Sequence, residues 1–146
     1  MIRSAIVERE INIGAIIDAV KSDDAGGVSV FIGTVRDVSD GRGVAKLEYE
    51  AYRAMAEREL AAIVNEGVEK FAVRSIVAEH RVGELSVGDV SVAIASAHAH
   101  RTAAIDCTHF VIEEIKKRVP IWKREHFADG TQEWVDPTAR VEAPAP

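Results

Sequence analysis

Cysteine is nearly absent: Cys107 stands alone in 146 residues, so no intrachain disulfide is available to staple the fold. Long apolar runs are also missing. No stretch approaches the ~18 residues of a membrane span, and the N-terminus lacks the apolar core of a signal peptide, so the expected compartment is the cytoplasm, with no membrane partner. Positive charge is in short supply. Eighteen Lys and Arg against 24 Asp and Glu give a net charge of −6, which speaks against a general nucleic-acid binder, whose footprint is a basic domain. There is no Walker A loop, GxGxxG, GxSxG, zinc-ribbon cysteine spacing or HExxH, and no internal repeat. What remains is ordinary globular composition, 47% hydrophobic and 29% charged, at a length that suits one domain able to bury a core.

The charge is unevenly distributed. Residues 96–128 hold six basic and four acidic side chains, leaving −8 for the rest of the chain. Three of the six lysines and four of the five histidines (His98, His100, His109, His126) lie there as well. An anion site is expected in that stretch, although lysine and arginine also favour the last turn of a helix for dipole reasons alone.

Periodicity predicts the elements. Residues 5–8 read as a short strand, and Asn12 is placed to cap a helix whose Ile13, Ile16, Ile17 and Val20 form one stripe. A strand over 28–35 and its expected neighbour over 44–52 flank a hairpin loop at 39–43. A second helix over 54–71 puts Leu60, Ile63, Val64, Val68 and Phe71 on one face. Strands over 73–82 and 89–97, joined by a turn containing Gly83 and Gly88, form a second antiparallel pair. A third helix over 102–118 buries Ala104, Ile105, Thr108, Ile112 and Ile115 and stops before Pro120. Residues 121–127 and 132–135 read as a terminal hairpin, and the Pro/Ala tail at 137–146 has nothing to bury, so the domain is expected over 1–136. Strands that pair locally, with helices packed on one side of antiparallel sheets, define an α+β fold.

Three places could carry chemistry. Lys116 on the last turn of the third helix and Lys123 in the following strand are separated by the break at Pro120, which could turn both into one pocket. Crowded or partly desolvated lysines lose affinity for their protons and become basic or nucleophilic near neutral pH. His100 and Arg101 stand where a strand feeds the third helix, a geometry that suits phosphate. Arg36 ends the strand over 28–35 beside a flexible loop. His98, Ala99 and His100 invite a metal reading, but no second ligand pair at metal spacing accompanies them, and no metal is expected. Cys107, mid-helix among apolar neighbours, reads as a core residue.

Several blocks in order then make a resemblance. Phe31-Ile32-Gly33-Thr34-Val35-Arg36, Leu47-Glu48-Tyr49-Glu50-Ala51-Tyr52 with Met55-Ala56, His80-Arg81-Val82-Gly83-Glu84-Leu85 with Gly88-Asp89, His100-Arg101, and Lys116 through Glu125 with Pro120-Ile121-Trp122-Lys123 at its centre, followed by Trp134-Val135, resemble the catalytic (large) subunit family of molybdopterin synthase. The resemblance implies an α/β-hammerhead type of α+β fold and a homodimer. Each copy would bind a small ubiquitin-like sulfur-carrier subunit, giving a heterotetramer. It further implies that the thiocarboxylated Gly-Gly C-terminus of that carrier delivers two sulfurs to cyclic pyranopterin monophosphate, forming the molybdopterin dithiolene without a bound cofactor. By the same resemblance Lys116 and Lys123 match the two essential lysines, and Arg36, His100 and Arg101 match substrate-binding positions. The loop from Asp37 to Gly41, and His98-Ala99 before His100, depart from the family pattern. Two rival readings are a non-catalytic adaptor for a ubiquitin-like partner and a metal-dependent hydrolase using His98, His100 and His109.

Overall fold

Alternation along the strands decides which faces are buried, and it builds two sheets. The computed structural model describes residues 1–135. One sheet contains β1 (Ile2–Val7), β5 (Ser75–Arg81), β7 (Val90–His98) and β2 (Gly27–Thr34) in that order. The other runs β3 (Val38–Ser39), β4 (Arg42–Ala51), β8 (Ile121–Phe127) and β9 (Gln132–Val135), with β6 (Gly83–Ser86) also paired to β4. The helices are α1 (Ile13–Val20), α2 (Arg53–Phe71) and α3 (Arg101–Arg118). The α+β class is as the sequence predicts. The expected tail at 137–146 lies outside the described residues.

Even-numbered residues of β5 and β7, Ile76, Ala78, Val92 and Ile94, face the main core with Leu60 and Ile63 of α2 and Val111 and Ile115 of α3. Leu47, Tyr49 and Leu85 bring the second sheet into the same core. Odd-numbered neighbours Val77, Ala93, Ala95 and Ala97 face the opposite way, onto Ile16 and Val20 of α1. The two long helices thus share one face of the first sheet, while α1 covers the other. Asn12 caps α1 as expected, its Oδ1 accepting from the Ala15 N–H at 3.0 Å.

Strand pairing differs from the local scheme. The expected partner of β2 was the strand over 44–52, but β2 pairs antiparallel with β7, from Gly27 opposite His98 to Thr34 opposite Val90. β4 instead pairs with β8 and β6. The reason lies in the loop: Asp40 (φ 51°) and Gly41 (φ 78°) make a tight two-residue turn that closes a hairpin between β3 and β4, so the chain has already left the first sheet at Val35. The 83–88 link, expected as a turn only, contains β6. β1 begins at Ile2 and joins β5 in parallel, a pairing that the antiparallel expectation did not include. The β5–β7 pair is antiparallel as expected, from Ser75 opposite Ala97 to His80 opposite Val92.

Two features set the ends of α3, where the candidate residues lie. At Gly27, a Cβ would come within 2.8 Å of the Arg101 Cα, so only glycine lets the start of α3 sit on β2. At the other end Arg118 binds Glu59 (2.7 Å) and Glu66 (2.7 Å) of α2 and Glu114 (3.3 Å) of its own helix. These carboxylates, Glu66 first, raise its pKa further. The terminal turn of α3 is thereby fixed on α2.

Candidate functional site

Pro120 ends α3 and the chain reverses into β8, whose inward face carries Ile121, Lys123, Glu125 and Phe127 in alternation. Two charged residues therefore stand on the core side of a strand. Lys123 and Glu125 form an ion pair at 3.8 Å, with Glu125 only 1% exposed. Lys116 approaches from the last turn of α3, and both lysines line one cavity of about 170 Å³ with Arg36, Gly33, Ser39, Tyr49, Ser91 and Glu125. The convergence of Lys116 and Lys123 expected from the sequence is present in the structure, and Arg36, expected only as a basic group at a strand end, lines the same cavity.

Lys116 has its surface area open to solvent, yet the protein packed around it desolvates the ammonium and lowers its pKa below the ordinary lysine value. The Lys116 charge also acts on the buried His80. Burial first, and the nearby Lys116 charge in addition, push the His80 pKa down to about 4, against the raising effect of its hydrogen bond to the Arg81 carbonyl. A neutral imidazole must donate its proton to that carbonyl, so Nδ1–H points to the Arg81 oxygen at 2.8 Å and fixes the tautomer. The His80 ring meets the Tyr49 ring edge to face, with centroids 5.2 Å apart.

The other basic residues of the rich stretch are engaged elsewhere. Arg118 holds α2, and Arg124 binds Glu48 at 2.8 Å while stacking on Trp134. Lys117 faces Glu114 at 3.7 Å. His126 also binds Glu48, at 2.7 Å. Cys107 is buried, and burial pushes its thiol up to about 11, which makes it a poor nucleophile at neutral pH.

His100 and Arg101 do not reach this cavity within one chain. They open α3, whose other end bears Lys116, and 15 or 16 residues of helix separate the ends by roughly 22–24 Å. Both are exposed, and the His100 N–H donates to His98 Nδ1 at 2.9 Å. Among the described residues no group of three or more His, Cys, Asp or Glu is arranged to hold a metal ion.

Sequence reading missed Glu125, Tyr49 and Ser91. The signal for Glu125 was available: residues two apart on a strand share a face, so a carboxylate two places after Lys123 shares its pocket. A second depression, about 440 Å³, runs between β2 and α3 along Val30, Phe31, Ile105 and Ile112 and ends on the same Lys116. A third, about 550 Å³, lies beside Arg3, Arg9 and Asn12, but its two arginines are occupied by the buried Glu79 at 2.6 and 3.2 Å and leave little for a ligand.

Comparison with known proteins agrees with the resemblance. The family model described as "MoaE protein" matches residues 6–118. The molybdopterin synthase catalytic subunit of Halalkalibacterium halodurans is 43% identical over 133 residues, covering 91% of this chain and 85% of that protein. That of Thermoplasma volcanium is 40% identical, covering 88% and 94%. Among solved structures, molybdopterin synthase from Staphylococcus aureus superposes with a TM-score of 0.84 at 37% identity, over 90% of this chain and 95% of that one. Among the described residues no helix is long and apolar enough to cross a membrane.

Proposed function

The chain belongs to the MoaE family, and on that premise we propose that Lys116 and Lys123 carry the sulfur transfer of a molybdopterin synthase catalytic subunit. The substrate is cyclic pyranopterin monophosphate, and two sulfurs come from the thiocarboxylated C-terminus of a small ubiquitin-like carrier, acting in the cytoplasm. The observation that carries the reading is the meeting of the two lysines, from α3 and β8, with Arg36 around one cavity. Lys116, its ammonium desolvated, is the group available as a neutral amine for nucleophilic or base work. Lys123, ion-paired with Glu125, and Arg36 supply positive charge to the phosphate and the thiocarboxylate. A chain whose cysteine is buried and unreactive must receive its sulfur from outside.

The cavity in one chain is small against the ~300–1,000 Å³ usual for small-molecule sites, and His100 and Arg101 stand at the far end of α3. Both facts are met by a second copy. β2 is an edge strand: its Val28, Val30 and Ile32, on the sheet face that α1 packs against, are each more than a third exposed, and Ile105 of α3 is exposed on the opposite side of the same edge. An apolar edge of this kind calls for cover. A two-fold axis at this edge and perpendicular to α3 would set α3 antiparallel to its copy, bringing His100 and Arg101 of one protomer toward Lys116 of the other. The homodimer then completes the anion site.

The carrier tail, with glycines that have no side chains to clash, reaches Lys116 and Lys123 as an extended peptide. The test measures carrier affinity and turnover separately after the two C-terminal glycines are removed. Lost turnover with retained binding is expected. Unchanged turnover would favour the adaptor reading.

A further inference from the structure

Side chains alternate along β7: Val92 and Ile94 face the main core, while Ala93, Ala95 and Ala97 face α1. Continued without a break, that alternation would turn Ser91 toward α1 and Val90 toward the core. The reverse is found. Val90 packs with the α1 cluster, and Ser91 lines the cavity of Lys116 and Lys123. The cause is a β-bulge. Gly33 is opposite Val92 and Thr34 opposite Val90, so Ser91 is an extra residue in β7 with no position of its own to face in β2. Pairing resumes beyond it, where the Val35 N–H donates to the Asp89 carbonyl at 3.0 Å. Ser91 and Val92 therefore point to one face of the sheet. The surroundings of Gly33 agree: a Cβ there would meet Val92 Cγ1 at 2.7 Å and Ser91 Oγ at 3.4 Å.

A bulge interrupts the ladder, and beside a binding site its effect is to re-aim one side chain. Here the side chain moved is a hydroxyl. On the α1 face Ser91 would join Ile11, Ile16, Val20 and the alanines of β7, an apolar cluster with no use for it. In the cavity wall it stands, 6% exposed, among Arg36, Lys116, Lys123 and Glu125. Its proton is committed, since Ser91 Oγ donates to the Gly33 carbonyl at 3.2 Å and a carbonyl only accepts. A hydroxyl has one proton, so what Oγ offers a ligand is lone pairs. The three cations suit a phosphate. An acceptor set among them serves the part of a ligand that carries N–H or O–H donors.

Resting on the reading of this cavity as the pterin site, we propose that Ser91, turned into the cavity by the bulge, is a specificity-determining residue that accepts a hydrogen bond from an N–H or O–H of the bound substrate. Ser91→Ala removes the hydroxyl. Ser91→Cys keeps the size of the side chain and replaces its oxygen by a weak acceptor. With the complex of this chain and carrier that lacks the thiocarboxylate, so that nothing turns over, calorimetric titration of cyclic pyranopterin monophosphate should give a Kd about 3–10-fold weaker for each variant, the loss of one neutral hydrogen bond. In turnover with activated carrier the loss should appear in KM more than in kcat. Inorganic phosphate, used as a second probe, should bind both variants and wild type alike, whereas Arg36→Ala should weaken both ligands. If the Ser91 variants lose affinity for pterin and phosphate equally, Ser91 only holds the wall and the inference is overturned. Wild-type affinity for the pterin in both variants overturns it too, and in either case the proposed function stands. If wild type has no affinity for the pterin, the reading of the cavity falls and this inference with it.

Discussion

His80 offers a measurement of how strongly the protein interior that feels the Lys116 charge excludes a second one. Its ring is 5% exposed, and its pKa lies near 4 instead of 6.5. Between those two values the unfolded chain binds a proton that the folded chain refuses, so stability rises with pH across the window and is lost as pH falls through it. The contribution is intact above the unfolded value. From about pH 7 to about pH 5 the two pKa values imply a loss of roughly 2 kcal/mol from this one residue. Glu48 and Glu79, whose pKa values are lowered from 4.5, lose their stabilisation at more acid pH and do not dominate the window. The assay is urea unfolding of wild type and His80→Gln at both pH values, each protein serving as its own reference. The variant should lose about 2 kcal/mol less than wild type between them. Equal losses would mean that His80 titrates in the fold as it does in water, and the exclusion of charge from its buried site would be refuted.

Other consequences are tested more briefly. With Lys116 as the reacting amine, single-turnover rates should climb with pH and level off below the ordinary lysine value of 10.5; Lys116→Arg, which stays charged, should abolish the rise. Glu125→Gln removes the buried partner of Lys123 and should lower turnover about tenfold or more while the protein still folds, as followed by circular dichroism. Arg118→Ala breaks the link to Glu59 and Glu66 and should cost roughly 1–3 kcal/mol in urea unfolding. Gly27→Ala forces a Cβ against the Arg101 backbone and should cost about 1–3 kcal/mol and weaken phosphate binding by the dimer, since it displaces His100 and Arg101.

The helices were legible in the sequence because each carries a stripe of period 3.6, a cap or a stop: Asn12 opens α1 and Pro120 closes α3. Strand pairing was not. β2 finds its partner about 60 residues away in β7, and no local pattern encodes a pairing whose warrant is the shared packing of Ser29 and Phe31 against α3. The nearest candidate, β4, has a pattern just as suitable and loses because the Asp40-Gly41 turn is taken up by β3. In the site, Arg36, Lys116 and Lys123 were visible as cations at element ends. Glu125 and Tyr49 were hidden among ordinary strand residues, since their roles come from which face is buried. The distance from His100 to Lys116 follows from helix length alone, and it was the clue that one copy of the chain does not complete the site.

The central claim, that the two lysines and not merely a docking surface transfer sulfur, is tested most directly by single-turnover conversion of cyclic pyranopterin monophosphate with thiocarboxylated carrier in excess. Wild type should form the dithiolene product, and Lys116→Ala and Lys123→Ala should each lose at least ~100-fold in rate, the scale of removing a positioned acid, base or nucleophile, while binding carrier and unfolding like wild type. Near-wild-type conversion by either variant would contradict the account.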